Sequence, residues 1–158
     1  FSIHKGIKCS SYKTIITLDG DGQNNPVDIP KLLNFFISRN DLDLVGGIRV
    51  KRKDNFIKIL SSKIANKIRS YILNDDCLDT GCSLKVFSKE KFLLFPYFDG
   101  IHRFLPALFK GFGYKTFFIN VSHRKRKYGI SKYGTIYRLL IGLRDIIKVI
   151  KIIKTKNE

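Results

Sequence analysis

Asp19-Gly20-Asp21-Gly22-Gln23 puts two carboxylates and a side-chain amide oxygen on one short, glycine-flexible loop. Oxygen donors so spaced suit a hard divalent cation, Mg2+ or Mn2+, that completes its shell with substrate phosphates. The same residue types also make an ordinary Asp/Gly/Asn surface turn, and the spacing alone leaves both readings open. An EF-hand is excluded, because with Asp19 as first ligand Asn24 stands where glycine is required and Pro30 where glutamate is required. A second candidate group is cationic: Arg124-Lys125-Arg126-Lys127 reads either as a phosphate clamp or as a solvated basic loop.

The elements around these residues alternate. Thr14 to Leu18 is β-branched and ends at Asp19-Gly20, so the carboxylates begin where a strand stops. Pro26 to Ser38 carries Ile29, Leu32, Leu33, Phe36 and Ile37 on one stripe and predicts an amphipathic helix. Leu42 to Val50 predicts a second strand, and Phe56 to Leu73 a longer helix with Ile57, Leu60, Ile64, Ile68 and Ile72 at helical spacing. Leu84 to Phe87 predicts a short strand, and Ser88 opens a helix that Pro96 ends. His102 to Phe112 reads as helix, Thr116 to Val121 as strand, Ser122 to Lys132 as polar loop, and Tyr133 to Lys154 as a last helix. Strand and helix in repeating order favour an α/β sheet, whose ligands sit beyond the carboxyl ends of the strands.

The 158 residues, 44% apolar, suffice for one core. A formal charge of +17 calls for a partner bearing phosphates, whether nucleic acid, anionic lipid or a pyrophosphate substrate. Cys9, Cys77 and Cys82 form neither an even set nor a CxxC pair, which argues against a disulfide framework and a zinc site and for a reducing compartment. No apolar run reaches the roughly 18 residues that span a bilayer, and no leader precedes the fold, so a chain that neither spans nor is exported is expected. The absence of any Met, with Phe1 in first place, predicts a segment missing in front.

The order of several short motifs carries more than any one of them. Leu18 to Pro26, Asp79-Thr80-Gly81-Cys82, Asp99 to Pro106, His123 to Arg126, Gly129 and Ser131-Lys132-Tyr133-Gly134 together resemble the dolichyl-phosphate mannosyltransferase-like branch of the family-two glycosyltransferases, over residues 1 to about 145. The resemblance implies a GT-A-type, mostly parallel sheet flanked by helices, N-terminally truncated, with a partial catalytic domain over 1–133 and an amphipathic basic helix over 134–158. It implies transfer of a hexose from GDP-mannose or UDP-glucose to a polyprenyl or dolichyl phosphate, with inversion.

By the same resemblance, Asp21 and Gln23 match metal-holding positions for Mg2+ or Mn2+, and Asp19 matches the carboxylate facing the nucleotide-sugar. Arg49 matches a basic residue near the diphosphate, and Asp79 an acidic residue beside the reacting centre. Arg124, Arg126, Ser131 and Lys132 match the loop that closes over acceptor phosphate and donor diphosphate. The chain departs from the pattern at Ser83-Leu84-Lys85, where the family commonly has Gly-aromatic-Arg, and a lysine is a poorer bidentate phosphate partner. The family's first strand and helix, which carry base and ribose contacts, have no counterpart.

The chemistry implied is coherent. Expelling a nucleoside diphosphate builds negative charge that a metal and cationic side chains stabilise. The acceptor phosphate is already anionic, so Asp79 is left to orient it, to take a residual proton, or to serve only as the structural Asp of a strand-end turn. His102 and His123 fit structural roles, and Cys77 and Cys82 fit small buried residues. The last helix, with isoleucines beside Lys148, Lys151 and Lys154, suits core packing, a partner interface or an anionic membrane surface, and with the lipid acceptor it predicts a peripheral location on a cytoplasmic membrane face. The rival readings are a catalytically inactive remnant of the same family and a nucleic-acid-binding module, the latter supported by charge alone.

Overall fold

A computed structural model of the chain describes residues 2–50, 56–124 and 135–157. In order, its elements are α1 (Ser2–Cys9), β1 (Thr14–Thr17), α2 (Asp28–Ser38), β2 (Leu44–Arg49), α3 (Phe56–Leu73), β3 (Lys85–Ser88), α4 (Lys89–Leu93), a 3-10 turn (Ile101–Arg103), α5 (Leu105–Gly111), β4 (Thr116–Val121) and α6 (Thr135–Asn157). The sheet runs β1-β3-β2-β4. β3 is antiparallel to both β1 and β2, and β2 is parallel to β4. Three of the described strands therefore point one way, but β3 lies between β1 and β2 and runs against them, so β2/β4 is parallel and the other two pairings are antiparallel where a mostly parallel sheet was expected. The sheet is mixed.

Strand alternation divides the core. Ile15, Phe87 and Leu44 lie opposite one another on one face, and Ile16, Val86 and Val45 on the other. The first face packs with Phe92, Phe95, Leu105, Phe109 and Val149 from the helical elements α4 to α6, and the second with Leu32 of α2 together with Leu84, Cys82 and Val121. Each fully buried Phe or Leu contributes about 1.5–3 kcal/mol of transfer free energy. Gly46 has to be small: a Cβ there would lie 2.9 Å from the Phe118 ring on β4.

One expectation changes, and two helices use their apolar stripes differently. His102 to Phe112 is not one helix, because the 3-10 turn stands apart and α5 starts at Leu105, where Pro106 costs nothing in the first turn. The apolar stripe of α3 does not face the core: Leu60, Ile64, Ile68 and Ile72 are 44–54% exposed, and the buried positions nearby are Arg69 and Leu73. In α6 the reverse holds. Val149 is fully buried, and Ile146, Ile150, Ile152 and Ile153 pack on the first core face, with Gly111 leaving room for Ile153. The isoleucine face of α6 is thus spent on the core, leaving Leu143 and Ile147 exposed. The division expected at 133/134 falls outside the described residues.

Candidate active site

Strand direction decides which loops meet. Because β1, β2 and β4 share a direction and β3 opposes them, the carboxyl ends of the first three and the amino end of β3 lie at one sheet edge. Asp19, Asp21 and Gln23 follow β1, Arg49 ends β2, Asp79 to Ser83 lead into β3, and Arg124 follows β4. Six of the residues singled out in the sequence thus come to a common edge, while Arg126, Ser131 and Lys132 lie outside the described residues.

The β2/β3 half is an ion pair. Arg49 donates through Nε to Asp79 Oδ2 at 2.8 Å and through Nη2 to Oδ1 at 2.7 Å, and its backbone N–H reaches Oδ2 at 3.1 Å. Both carboxylate oxygens are thereby engaged by one residue, in the fork geometry that guanidinium suits. The side chains are only 14% and 7% exposed. Gly81 makes the approach possible, since a Cβ there would stand 2.8 Å from Arg49 Nη2. The turn is closed by the Cys82 N–H donating to the Asp79 carbonyl at 3.1 Å and is tied to α3 by Thr80 Oγ1 donating to Asn66 Oδ1 at 2.8 Å.

Lys85 lies beneath this turn and does not reach outward to a phosphate. It is 3% exposed, and its ammonium donates to the Cys82 carbonyl and, at 3.5 Å, to that of Thr80. Burial holds it below the ordinary lysine range, against the opposing pull of Cys82, Cys77, Asp79 and Asp19. The neighbouring thiols move the other way: desolvation raises Cys82 and pushes Cys77 up to about 11. Both are inert as nucleophiles near neutral pH.

The β1/β4 half is joined by hydrogen bonds between the segments that follow the two strands. Asp21 Oδ1 accepts from the Gln23 N–H at 3.1 Å, the Asx turn that Gly22 at φ +72° completes. The next residue, Asn24, pairs across to His123, and the Arg124 N–H donates to the Gln23 carbonyl at 2.9 Å. The Arg124 guanidinium reaches Asn25 Oδ1. Asp28 Oδ2, at the start of α2, accepts from the Ser122 N–H at 2.8 Å and the Ser122 hydroxyl at 2.6 Å. The segment that opens the basic loop is therefore clasped to the segment that carries the carboxylates. Asp28, Asn24 and Ser122 carry no chemical signature, and only knowledge that the segment after β1 crosses to the segment after β4 could have found them.

Asp19 is exposed, and Asp21 and Gln23 are half-buried. Among the described residues no three His, Cys, Asp or Glu side chains gather closely enough to cage a cation. Two carboxylates and an amide oxygen at an open edge instead fit a metal held partly by substrate phosphates, the usual mode for Mg2+.

Residues 2–94 match the profile of Glycosyl transferase family 2, more than half of the chain. The chain belongs to this family. A dodecaprenyl-phosphate galacturonate synthase of Rhizobium johnstonii is 33% identical over 150 residues, covering 92% of this chain and 44% of that protein. An undecaprenyl-phosphate 4-deoxy-4-formamido-L-arabinose transferase of Pectobacterium carotovorum is 31% identical over 133 residues, covering 84% of this chain and 40% of its own length. The chain thus spans less than half the length of these family-2 relatives. Glucosyl-3-phosphoglycerate synthase from Mycobacterium tuberculosis, solved with Mn2+, UDP-glucose and phosphoglyceric acid, superposes with a TM-score of 0.65 at 14% identity, covering 94% of this chain and 51% of the other. That likeness establishes the fold, a GT-A-like α/β architecture.

Proposed function

We propose that this family-2 chain is part of a glycosyltransferase that moves a sugar from a nucleotide-sugar to a polyprenyl phosphate. The observation that carries the reading is the convergence on one sheet edge of the Asp19–Gln23 loop, the Arg49–Asp79 pair and the start of the basic loop at Arg124. The names of the relatives supply the acceptor class, a polyprenyl phosphate.

An oxygen of the acceptor phosphate attacks the anomeric carbon, the bond from that carbon to the donor diphosphate breaks, and the nucleoside diphosphate leaves with the electron pair. Asp21 and Gln23, with Asp19 alongside, would hold Mg2+ or Mn2+, and the ion would supply positive charge to stabilise the leaving diphosphate. Arg49 presents a guanidinium fixed in direction by Asp79, so little reorganisation is needed as charge builds. The acceptor enters as an anion and needs no strong base. A carboxylate already engaged at both oxygens serves Asp79 better as an orienting group than as a proton acceptor. Arg124, with Arg126, Ser131 and Lys132 beyond it, supplies the cationic wall for the two phosphate groups.

A lipid-linked acceptor places the reaction at a membrane surface. No helix among the described residues is long and apolar enough to cross a bilayer. The exposed stripe Leu60, Ile64, Ile68 and Ile72, flanked by exposed Lys63 and Lys67, suits the anionic interface of a cytoplasmic leaflet. The donor is a nucleotide-linked sugar: GDP-mannose and UDP-glucose are the candidates implied by the resemblance in the sequence, and the first relative's name adds galacturonate as the sugar of a third.

Labelled donors of these three kinds, offered with a polyprenyl phosphate in anionic vesicles, test the reading. Lipid-linked sugar from one donor is the expected result. Absence of product from a folded protein with all three, in Mg2+ and in Mn2+, favours the inactive remnant.

A further inference from the structure

The Asp19–Gln23 loop is closed at both ends by one oxygen. Ser83 Oγ accepts from the Asp19 backbone N–H at 2.9 Å and from the Asn24 side-chain amide at 2.6 Å, the residues that open and follow the loop. The Ser83 carbonyl accepts from Thr17 Oγ1 at 2.8 Å, so three residues of the β1 segment meet one residue of β3's lead-in. Register explains why: Thr17 pairs with Lys85 in the antiparallel β1/β3 ladder, and two steps further along each strand bring Asp19 opposite Ser83. A hydroxyl oxygen has two acceptor sites, and both are used. Asn24 is 6% exposed, so its amide depends on this partner. Ser83 is also the position at which the sequence departs from the glycine common in the pattern it resembles, and glycine has no oxygen to offer.

We propose that Ser83 is a positioning residue for cation binding: its hydroxyl sets the span between Asp19 and Asn24, and with it the direction in which Asp21 and Gln23 present their oxygens. The inference rests on the metal role proposed above for that loop. Ser83 itself touches neither metal nor substrate.

The test is direct Mn2+ binding to the full chain in the presence of UDP or GDP, read from the free-Mn2+ electron paramagnetic resonance signal, with the melting midpoint taken separately in metal-free buffer. Ser83→Ala and Ser83→Gly are expected to weaken Mn2+ binding about tenfold through loss of two hydrogen bonds, one of them to a buried amide. Ser83→Thr, which keeps the hydroxyl, restores it to within about twofold of the parent on the same reasoning. Asn24→Ala weakens binding as well, and the Ser83→Ala/Asn24→Ala double variant loses less than the product of the two single losses, because both act through one contact. In transfer assays the Ser83→Ala defect is recovered at saturating Mn2+, which separates an affinity effect from a lost catalytic group.

A lower melting midpoint with unchanged Mn2+ affinity in Ser83→Ala overturns the proposal while leaving the metal reading intact. Failure of the parent chain to bind Mn2+ with either nucleotide overturns both.

Discussion

The two halves of the sheet edge are built differently. At β2/β3 a bidentate ion pair, a glycine that admits it and a buried ammonium fix Arg49 and Asp79 before any ligand arrives. At β1/β4 the carboxylate loop is held by hydrogen bonds to Ser83 at its ends and to Arg124 at Gln23, with Asp19 exposed and Asp21 half-buried. The first half resembles the preorganised dipoles that stabilise developing charge, which work best when they need not move. The second resembles a cation site finished by its substrate, which has to tolerate ligand exchange. Stability and function should therefore separate across the edge.

Breaking the ion pair gives the largest effect on folding. Asp79→Ala removes the bidentate acceptor of the Arg49 guanidinium, which is 14% exposed, and about 3 kcal/mol of stability is expected to be lost. Urea unfolding followed by circular dichroism measures it, and a loss below about 1 kcal/mol would place the pair among ordinary surface salt bridges. Lys85→Met is expected to cost less, about 1–2 kcal/mol, because it strips the Cys82 and Thr80 carbonyls of a donor while filling a similar volume. The same unfolding curves report it, and an equal or larger loss than Asp79→Ala would make the buried ammonium, not the ion pair, the anchor of that half.

In the other half, Asp21→Ala is expected to lower stability by no more than about 1 kcal/mol, the scale of the turn hydrogen bond from the Gln23 N–H that it removes. A larger fall would show the loop to be part of the folding core and would erase the contrast. The smallest effect is on thiol reactivity. At pH 8 in native buffer a chromogenic disulfide reagent should label exposed Cys9 and spare Cys82 and Cys77, whose thiols are buried and raised, until denaturant opens the β2/β3 half. Rapid native labelling of Cys82 contradicts a rigid turn at Asp79.

Much of this arrangement was legible in the sequence, and the limits have physical causes. β1 followed from a β-branched run, β2 and β4 were read as strands, and the position of Asp19 at the end of a strand followed from the glycine stop. The direction of β3 did not, because four residues with no turn signature carry no record of their partners; Ser83 stayed hidden for the same reason. α3 and α6 make the point most plainly. Both repeat isoleucine at helical spacing beside lysine, yet α6 spends that face on the core through Val149 and Ile153 while α3 leaves Ile64 and Ile68 more than half exposed. Periodicity announces that a helix has an apolar face, and only the packing says what covers it. The Asp19, Asp21, Gln23, Arg49, Asp79 and Arg124 positions were all readable as motifs; that Asp79 fixes the Arg49 guanidinium was not.

The most direct test compares the chain with its Asp21→Ala variant in transfer of labelled sugar from nucleotide donors to polyprenyl phosphate with Mg2+ or Mn2+. The account predicts metal-dependent product from the parent and at least about a hundredfold less from an equally folded Asp21→Ala, the scale on which losing one electrostatic stabiliser slows a reaction. Equal transfer by the two proteins, or transfer that persists in a chelator, would contradict it.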